Sequence, residues 1–436
     1  MKINKLHIKN FRGYTDLKVD LQPHFNLIIG DNGSGKTALL QALTVAMSSY
    51  FLGIRNVYAR GIYKNDVRIA TYEYSEEYQF PVEVSACGNI NGVDLCWSRA
   101  LNGLGNSRTT TKDAKEVQDY ASDLQHIITS GENVNLPLLA YYATGRLFDE
   151  ARDVESKKVD EPKVHIASRF RAYDKCLESK STYKQFHKWF KAKELSRIQK
   201  RTEDIALNLV QEAVINNIPN CRNFYFEFDP DKPQGLKVEL TDGRILPFTY
   251  LSDGTRNFFA LISDIAYKAV TLNPHLRERA LLETEGIVLI DELDLHLHPE
   301  WQRRIVEALK KTFPKIQFIC TTHSPFIIQA TEENELLIIR DNQIRENNSG
   351  VNMSIEDIAE MHQKVENPQW STKRQELYKI APKYFEAALN DNITDELQKQ
   401  FDNVFDVFAN DSAYMAIIDK KKVIQEYLKN KNESSK

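Results

Sequence analysis

Phe25-Asn26-Leu27-Ile28-Ile29-Gly30-Asp31-Asn32-Gly33-Ser34-Gly35-Lys36-Thr37 is the stretch on which the fold turns. Gly30 to Thr37 spell G-x-x-x-x-G-K-T, the pattern of a phosphate-binding loop. The apolar run before it reads as a buried strand, and Ala38 to Met47 after it as a helix. That strand–loop–helix setting separates a nucleotide site from an ordinary glycine-rich turn. Glycines let the backbone curl until its N–H groups face a phosphate, and the helix N-terminus adds positive potential. On this reading Asn32, Gly33, Ser34 and Gly35 line the phosphates, Lys36 reaches the β- and γ-phosphates of ATP, and Thr37 holds Mg²⁺.

Working outward, the apolar run Gly286 to Ile290 ends in Asp291-Glu292. In a parallel sheet such a strand tip lies near the phosphate loop. Asp291 is then expected to hold the metal, directly or through water, and Glu292 to polarise the attacking water. The alternative is an acidic strand end that caps the next helix. Three further stretches fall in a consistent order. Leu251-Ser252-Asp253-Gly254-Thr255 opens a helix, as an anion site or as a plain serine cap. Leu293-Asp294-Leu295-His296-Leu297-His298-Pro299 follows the two carboxylates, and no third ligand accompanies its two histidines. Cys320-Thr321-Thr322-His323-Ser324-Pro325 follows the next apolar strand.

The rest of the 436 residues is ordinary for a globular chain: 42% hydrophobic, 27% charged, net charge −4. No global attraction to nucleic acid follows from that balance. No apolar run is long enough to span a membrane and no signal peptide is seen, so a cytoplasmic protein is expected. Cys87, Cys96, Cys176, Cys221 and Cys320 lack zinc spacing and are expected as reduced, mostly buried thiols.

Residues 1–150 read as an N-terminal lobe with strands around the loop, including a hairpin over 80–101 and a buried strand Leu138 to Tyr142. A polar stretch over 150–163 suggests a boundary. Residues 151–222 read as a helical insert, helical throughout 166–218. From Ile166 to Arg201 it carries eleven basic and three acidic residues, a net +8, with Phe170, Tyr173, Tyr183, Phe186, Trp189 and Phe190 interleaved. Such a stretch suits a phosphate backbone, or else is a solvated face over a helical core. Residues 223–345 read as a second lobe and 346–436 as a helical extension with amphipathic pieces (Ile380, Tyr384, Phe385, Ala388; Phe401, Val404, Phe405, Phe408).

The phosphate loop, Leu251–Thr255, Asp291–Glu292 and His323, in that order, resemble the motifs of ABC-type ATPases. With Asn10-Phe11-Arg12 after the first strand and the Leu295-His296-Leu297-His298-Pro299 string, the chain resembles their RecF/SMC/OLD-like branch. Leu139 to Arg146, Phe170-Arg171-Ala172-Tyr173 and Gly286 to Pro299 look like the PtuA-like ATPases of Septu and retron-linked anti-phage defence. The resemblance implies an α/β ATPase head with a mixed sheet, a β-rich N-terminal lobe, a helical insert and a helical C-terminal extension. It implies hydrolysis of ATP between two subunits, each site combining one copy's loop with the other's Ser252 and Gly254. It makes His323 a switch histidine at the γ-phosphate, places Asp294 at the dimer interface and brings Arg12 to the nucleotide. A homodimer, or a higher oligomer built on it, is expected, with the extension binding a partner. OLD relatives append a strand-rich acidic nuclease domain; the tail shows none, and His362 is its sole histidine. A nuclease is therefore expected as a separate polypeptide. A RecF-like DNA-repair ATPase, or an ATP-binding scaffold with little turnover, stays open. The chain departs from the pattern at Asp253 and Thr255, where Gly and Gln are usual, and no Q-loop glutamine stands out, since neither Gln79 nor Gln118 is placed on a clear strand end.

Overall fold

A computed structural model describes residues 1–105, 107–145, 168–178, 183–345, 353–361, 365, 367–368, 370–390 and 392–405. Arg146, the 150–163 boundary, Ile166, Lys180, His362, Phe408 and the tail beyond residue 405 lie outside them.

An antiparallel pair, β1 (Lys2–Phe11) and β2 (Tyr14–Asp20), turns Leu6, Ile8, Leu17 and Val19 inward and polar neighbours outward. A register shift between Ile3 and Lys5 keeps both Ile3 and Leu6 buried although they stand three positions apart, an odd spacing. β3 (Phe25–Gly30) carries the loop into α1 (Lys36–Ser48), which is buried on nearly every side. A small ribbon, β4 (Ile69–Tyr72) and β5 (Ser75–Tyr78), precedes the hairpin of β6 (Val82–Ile90) and β7 (Val93–Leu101). β6 pairs with β1, giving a four-stranded sheet ordered β2-β1-β6-β7. Cys87 and Cys96 face each other across this hairpin, their Cα atoms 4.1 Å apart, and form a disulfide. Reduced thiols were expected at all five cysteines. The nine-residue spacing gave no hint, because the turn at Asn91-Gly92 sets the register. Cys176, Cys221 and Cys320 are buried thiols.

After α2 (Lys115–Thr129), β8 (Leu138–Tyr142) enters the main sheet fully buried. The insert is not helical throughout. A short 3-10 turn at Arg169–Tyr173 is followed by α3 (Tyr183–Lys200) and α4 (Ile205–Asn217). The break between them has local causes. Arg201 adopts φ 49°, and Asp204 caps α4 by accepting the Leu207 N–H at 3.1 Å. A three-stranded antiparallel sheet, ordered β11-β10-β9, comprises β9 (Cys221–Glu227), β10 (Gly235–Leu240) and β11 (Ile245–Pro247). Five of the insert's aromatics are core. Phe190 stacks on Phe224 at 5.0 Å, Trp189 meets Tyr267 at 5.2 Å, and Phe170, Tyr173 and Phe186 are buried. They are closed to base stacking. Arg169 is spent too, donating to the Leu272 and Val134 carbonyls at 2.6 Å.

α5 (Asp253–Leu272) is the central helix, buried from Phe258 onward except at Ala260. α6 (Ala280–Glu283) leads to β12 (Gly286–Ile290), α7 (Pro299–Gln302), α8 (Ile305–Thr312), β13 (Ile316–Thr321), α9 (Pro325–Gln329), β14 (Leu336–Arg340) and β15 (Gln343–Arg345). The main sheet has six strands ordered β15-β14-β3-β13-β12-β8, parallel except for the edge strand β15. Within this parallel sheet β12 and β13 are buried along their whole length rather than on alternate residues, so β12 is apolar throughout and β13 departs only at Gln317 and Thr321.

This unit runs from Met1 to Met353, and a second from Ser354 to Lys436. The second holds α10 (Ile355–Met361), α11 (Thr372–Leu389) and α12 (Asp395–Phe405). α11 and α12 share a small core of Leu377, Ala381, Phe401 and Val404, with Tyr384 stacked on Phe401 at 4.1 Å.

Candidate nucleotide site

Gly35 precedes α1 with φ 101°, and a Cβ there would lie 2.5 Å from the Tyr14 hydroxyl. Only glycine meets both demands. Lys36 folds back over the loop, its Nζ donating to the Gly30 carbonyl at 2.8 Å and the Asp31 carbonyl at 3.1 Å. Burial pushes its pKa down, and the Asp291 carboxylate opposes that shift. A buried ammonium whose hydrogen bonds go to neutral carbonyls gains from a phosphate. Asn32 and Gly33 are exposed on the loop. The Ser34 and Tyr14 hydroxyls are buried without a hydrogen-bond partner among the described residues. Burial pushes the Tyr14 phenol well up, so it stays a neutral donor. Orphan hydroxyls beside such a loop are groups that a polar ligand satisfies.

β12 ends in Asp291 and Glu292, and β13 stands between it and β3. Side chains close that gap. Thr37 Oγ1 donates to Asp291 Oδ2 at 2.9 Å, joining positions 254 residues apart. Thr321, at the tip of β13, donates from Oγ1 to Asp291 Oδ1 at 2.7 Å and accepts the Glu292 N–H at 2.8 Å. Glu292 sits at φ 52°, which is costly for a residue with a Cβ. Among the described residues no group of three or more His, Cys, Asp or Glu is set to hold a metal. The hydroxyl of Thr37 and the carboxylate of Asp291 instead suit Mg²⁺, which takes one or two protein oxygens and completes its shell from phosphates and water. The residues therefore fit a magnesium nucleotide.

Arg12, at φ 51° in the turn between β1 and β2, is anchored by Asp66. Its Nε donates to Asp66 Oδ1 at 3.2 Å. Arg60 grips the other oxygen of Asp66 at 2.9 Å and also donates to the Gln41 carbonyl and Thr44 hydroxyl of α1. Asp66 is 1% exposed and Arg12 31%.

Ser252 caps α5, accepting the Thr255 N–H at 3.3 Å, while the Ser252 and Thr255 hydroxyls share a bond at 2.8 Å. Asp253 pairs with Arg256, which holds its carboxyl below the usual range. The two residues that depart from the ABC pattern are thus spent on the first turn of the helix. Gly254 backs directly onto the carbonyl of His296, and Asn257 Nδ2 donates to the Leu295 carbonyl at 2.9 Å. Asp294 accepts from the Thr322 hydroxyl at 2.5 Å and the His323 N–H at 3.3 Å. His323 itself is exposed. His298 caps α7, accepting the Glu300 N–H at 3.3 Å. Gln79 donates to the Glu77 carbonyl at 3.0 Å, and Gln118 lies on α2.

The structure therefore brings Lys36, Thr37, Asp291 and Glu292 together and ties Asp294 to the His323 loop. It gives Arg12 a buried carboxylate anchor. Asp66, Tyr14 and Thr321 were missed, since none belongs to a spaced motif. Thr321 did lie inside a quoted stretch, next to the histidine.

Residues 5–213 match the family described as AAA domain. The chain is 26% identical over 407 residues to the Retron Ec83 probable ATPase of Escherichia coli, covering 79% of this chain and 72% of that protein. It is 26% identical over 352 residues to the Septu protein PtuA of Bacillus mycoides (strain KBAB4), covering 79% of this chain and 41% of that one. It is 32% identical over 128 residues to the DNA replication and repair protein RecF of Haemophilus influenzae, covering 29% of this chain and 31% of that protein. The resemblance carried by the motifs is borne out: over most of its length this sequence is similar to proteins named as retron probable ATPases and as the Septu protein PtuA.

Proposed function

We propose that the chain binds and hydrolyses ATP with Mg²⁺, pairs with a second copy around two nucleotides, and thereby regulates a separate nuclease subunit in bacterial anti-phage defence. The observation that carries the ATPase reading is the contact of Thr37 with Asp291, because it unites the loop and the acidic strand tip in one site. When bound, magnesium ATP supplies a phosphoryl group whose charge the metal neutralises. Lys36 exchanges its two carbonyl partners for phosphate oxygens. Thr37 and Asp291 hold the metal side of the site. Glu292 orients a water and accepts its proton. Arg12, held by Asp66, faces the nucleotide from the β1–β2 turn. His323 and the partner copy's Ser252–Gly254 turn close over the γ-phosphate end, the latter with the positive end of α5.

Kinship with retron and Septu ATPases supports the defence role; the extension of α10 to α12 is proposed as partner-binding. The RecF match favours a second reading, a DNA-binding repair ATPase, over a smaller part of the chain. The insert's buried aromatics count against stacked bases on that face.

The test is the native mass of the complex, purified with its genomic neighbours co-expressed, with and without ATP. An assembly with a second polypeptide that ATP remodels is expected. A lone protein that dimerises only with ATP moves the assignment to the RecF-like reading, and a mass indifferent to ATP contradicts both.

A further inference from the structure

We propose that Thr321 is a positioning residue for ATP hydrolysis, one hydroxyl that sets both carboxylates at the tip of β12; this rests on the ATPase reading above. A threonine hydroxyl has a single proton and two lone pairs. The Glu292 N–H at 2.8 Å can only donate, so it takes a lone pair of Thr321 Oγ1. The proton of Thr321 then goes to Asp291 Oδ1 at 2.7 Å. The direction of both bonds is fixed by the chemistry of the partners, with no freedom for the hydroxyl to rotate.

Each bond has a consequence. With Oδ1 occupied, the carboxylate of Asp291 presents Oδ2 to Thr37, the side on which a metal is held. Asp291 is 3% exposed, so the plane of its carboxylate is set by protein partners rather than by water. On the other side, Glu292 sits at φ 52°. The bond from its N–H to Thr321 Oγ1, and that from the Leu293 N–H to the Thr321 carbonyl at 2.8 Å, pin the backbone in this left-handed conformation. The direction in which the Glu292 side chain leaves the strand follows from that pin.

Thr321 also stands at the start of the loop carrying His323. The following Thr322 hydroxyl donates to Asp294, and the Ser324 hydroxyl donates to Gln302 Oε1 at 2.6 Å. Three hydroxyls in four residues thus join this loop to the segment after β12. Of the three, only Thr321 touches the metal-side carboxylate and the backbone of the proposed base. Partners that orient metal ligands in this way typically govern affinity or rate by about 10–100-fold.

The experiment compares Thr321→Val, which keeps the shape and removes the hydroxyl, with Thr321→Ser, which keeps the hydroxyl, in the full chain. Two quantities are read: affinity for a fluorescent ATP analogue in EDTA, and ATP turnover as a function of Mg²⁺. The valine variant should bind the metal-free analogue within about twofold of the parent, lose turnover by about tenfold or more, and need about tenfold more Mg²⁺ for half its maximal rate. Serine should restore both the rate and the Mg²⁺ requirement. A valine variant that keeps the parent's rate and Mg²⁺ dependence overturns the proposal. So does a valine variant that loses metal-free binding as well, since that marks a structural role, or a serine variant as slow as valine. A parent chain with no Mg²⁺-dependent turnover overturns the ATPase reading itself, a distinct result.

Discussion

At the scale of single residues, the site depends on polar groups placed where solvent cannot compensate them. Asp66 shows the asymmetry. It is almost fully buried between two guanidinium groups, one of which, Arg60, also holds α1. Asp66→Ala leaves Arg60 without its buried partner, and loss of one member of such a pair costs about 3–5 kcal/mol. Arg12→Ala keeps the Asp66–Arg60 pair and removes a group that is one-third exposed, so it should cost stability about 1 kcal/mol or less and appear mainly as weaker nucleotide binding. Urea unfolding of the two variants, with ATP-analogue titration of Arg12→Ala, separates these effects. Equal losses of stability, with nucleotide affinity unchanged in Arg12→Ala, contradict the assignment. The sequence singled out Lys36, Thr37, Asp291 and Glu292 through motifs whose spacing reflects backbone geometry, and Arg12 through the family resemblance alone. Asp66 was silent, because its partners come from the β1–β2 turn and from Arg60, and a lone aspartate carries no period. Thr321 was visible as a letter but not as a contact, since its bonds run sideways to the neighbouring strand.

At the scale of elements, the helix α5 and the segment after β12 are packed so closely that one glycine decides the contact. A Cβ at Gly254 would run into the His296 carbonyl, and moving it displaces either the start of α5 or the Asp294 segment that holds the His323 loop. Gly254→Ala should therefore bind ATP as the parent does, because Lys36 and Thr37 are untouched, yet lose most of its ATP-dependent pairing and turnover. Parent-like turnover in that variant, measured beside analogue binding, contradicts the proposed link between the two segments. Element type was largely readable: the buried runs of β3, β12 and β13, the hairpin β6–β7 and the opening of α5 all follow from periodicity and turn chemistry. Breaks were harder. The gap between α3 and α4 depends on the left-handed Arg201 and on capping by Asp204, local features that an apolar stripe overrides in a sequence reading.

At the scale of the molecule, the strands of the main sheet interleave. β3 and β8 come from the first third of the chain and β12 to β15 from beyond residue 285, yet β3 sits between β14 and β13, and β8 beside β12, in one sheet. Neither set closes a sheet alone, so the nucleotide site exists only when both are joined. A buried pair reinforces the join: Tyr142 donates to Asp264 Oδ2 at 2.7 Å, and Lys268 pairs with the same carboxylate. The basic insert, legible as a charge excess, turned out to spend five of its aromatics and Arg169 on the core, a distinction that composition cannot make because lysine stems and aromatic faces serve both ends. No helix among the described residues is long and apolar enough to cross a membrane.

Nucleotide-driven pairing of two copies, reversed by hydrolysis, is the cycle proposed for this chain. The most direct measurement is the native mass of Glu292→Gln with and without magnesium ATP, alongside Lys36→Ala. The account predicts that Glu292→Gln, able to bind but not to activate water, doubles its mass and stays paired with ATP, while Lys36→Ala binds no nucleotide and shows no ATP effect. A Glu292→Gln chain that turns over ATP at the parent rate, or whose mass ATP does not change, would contradict it.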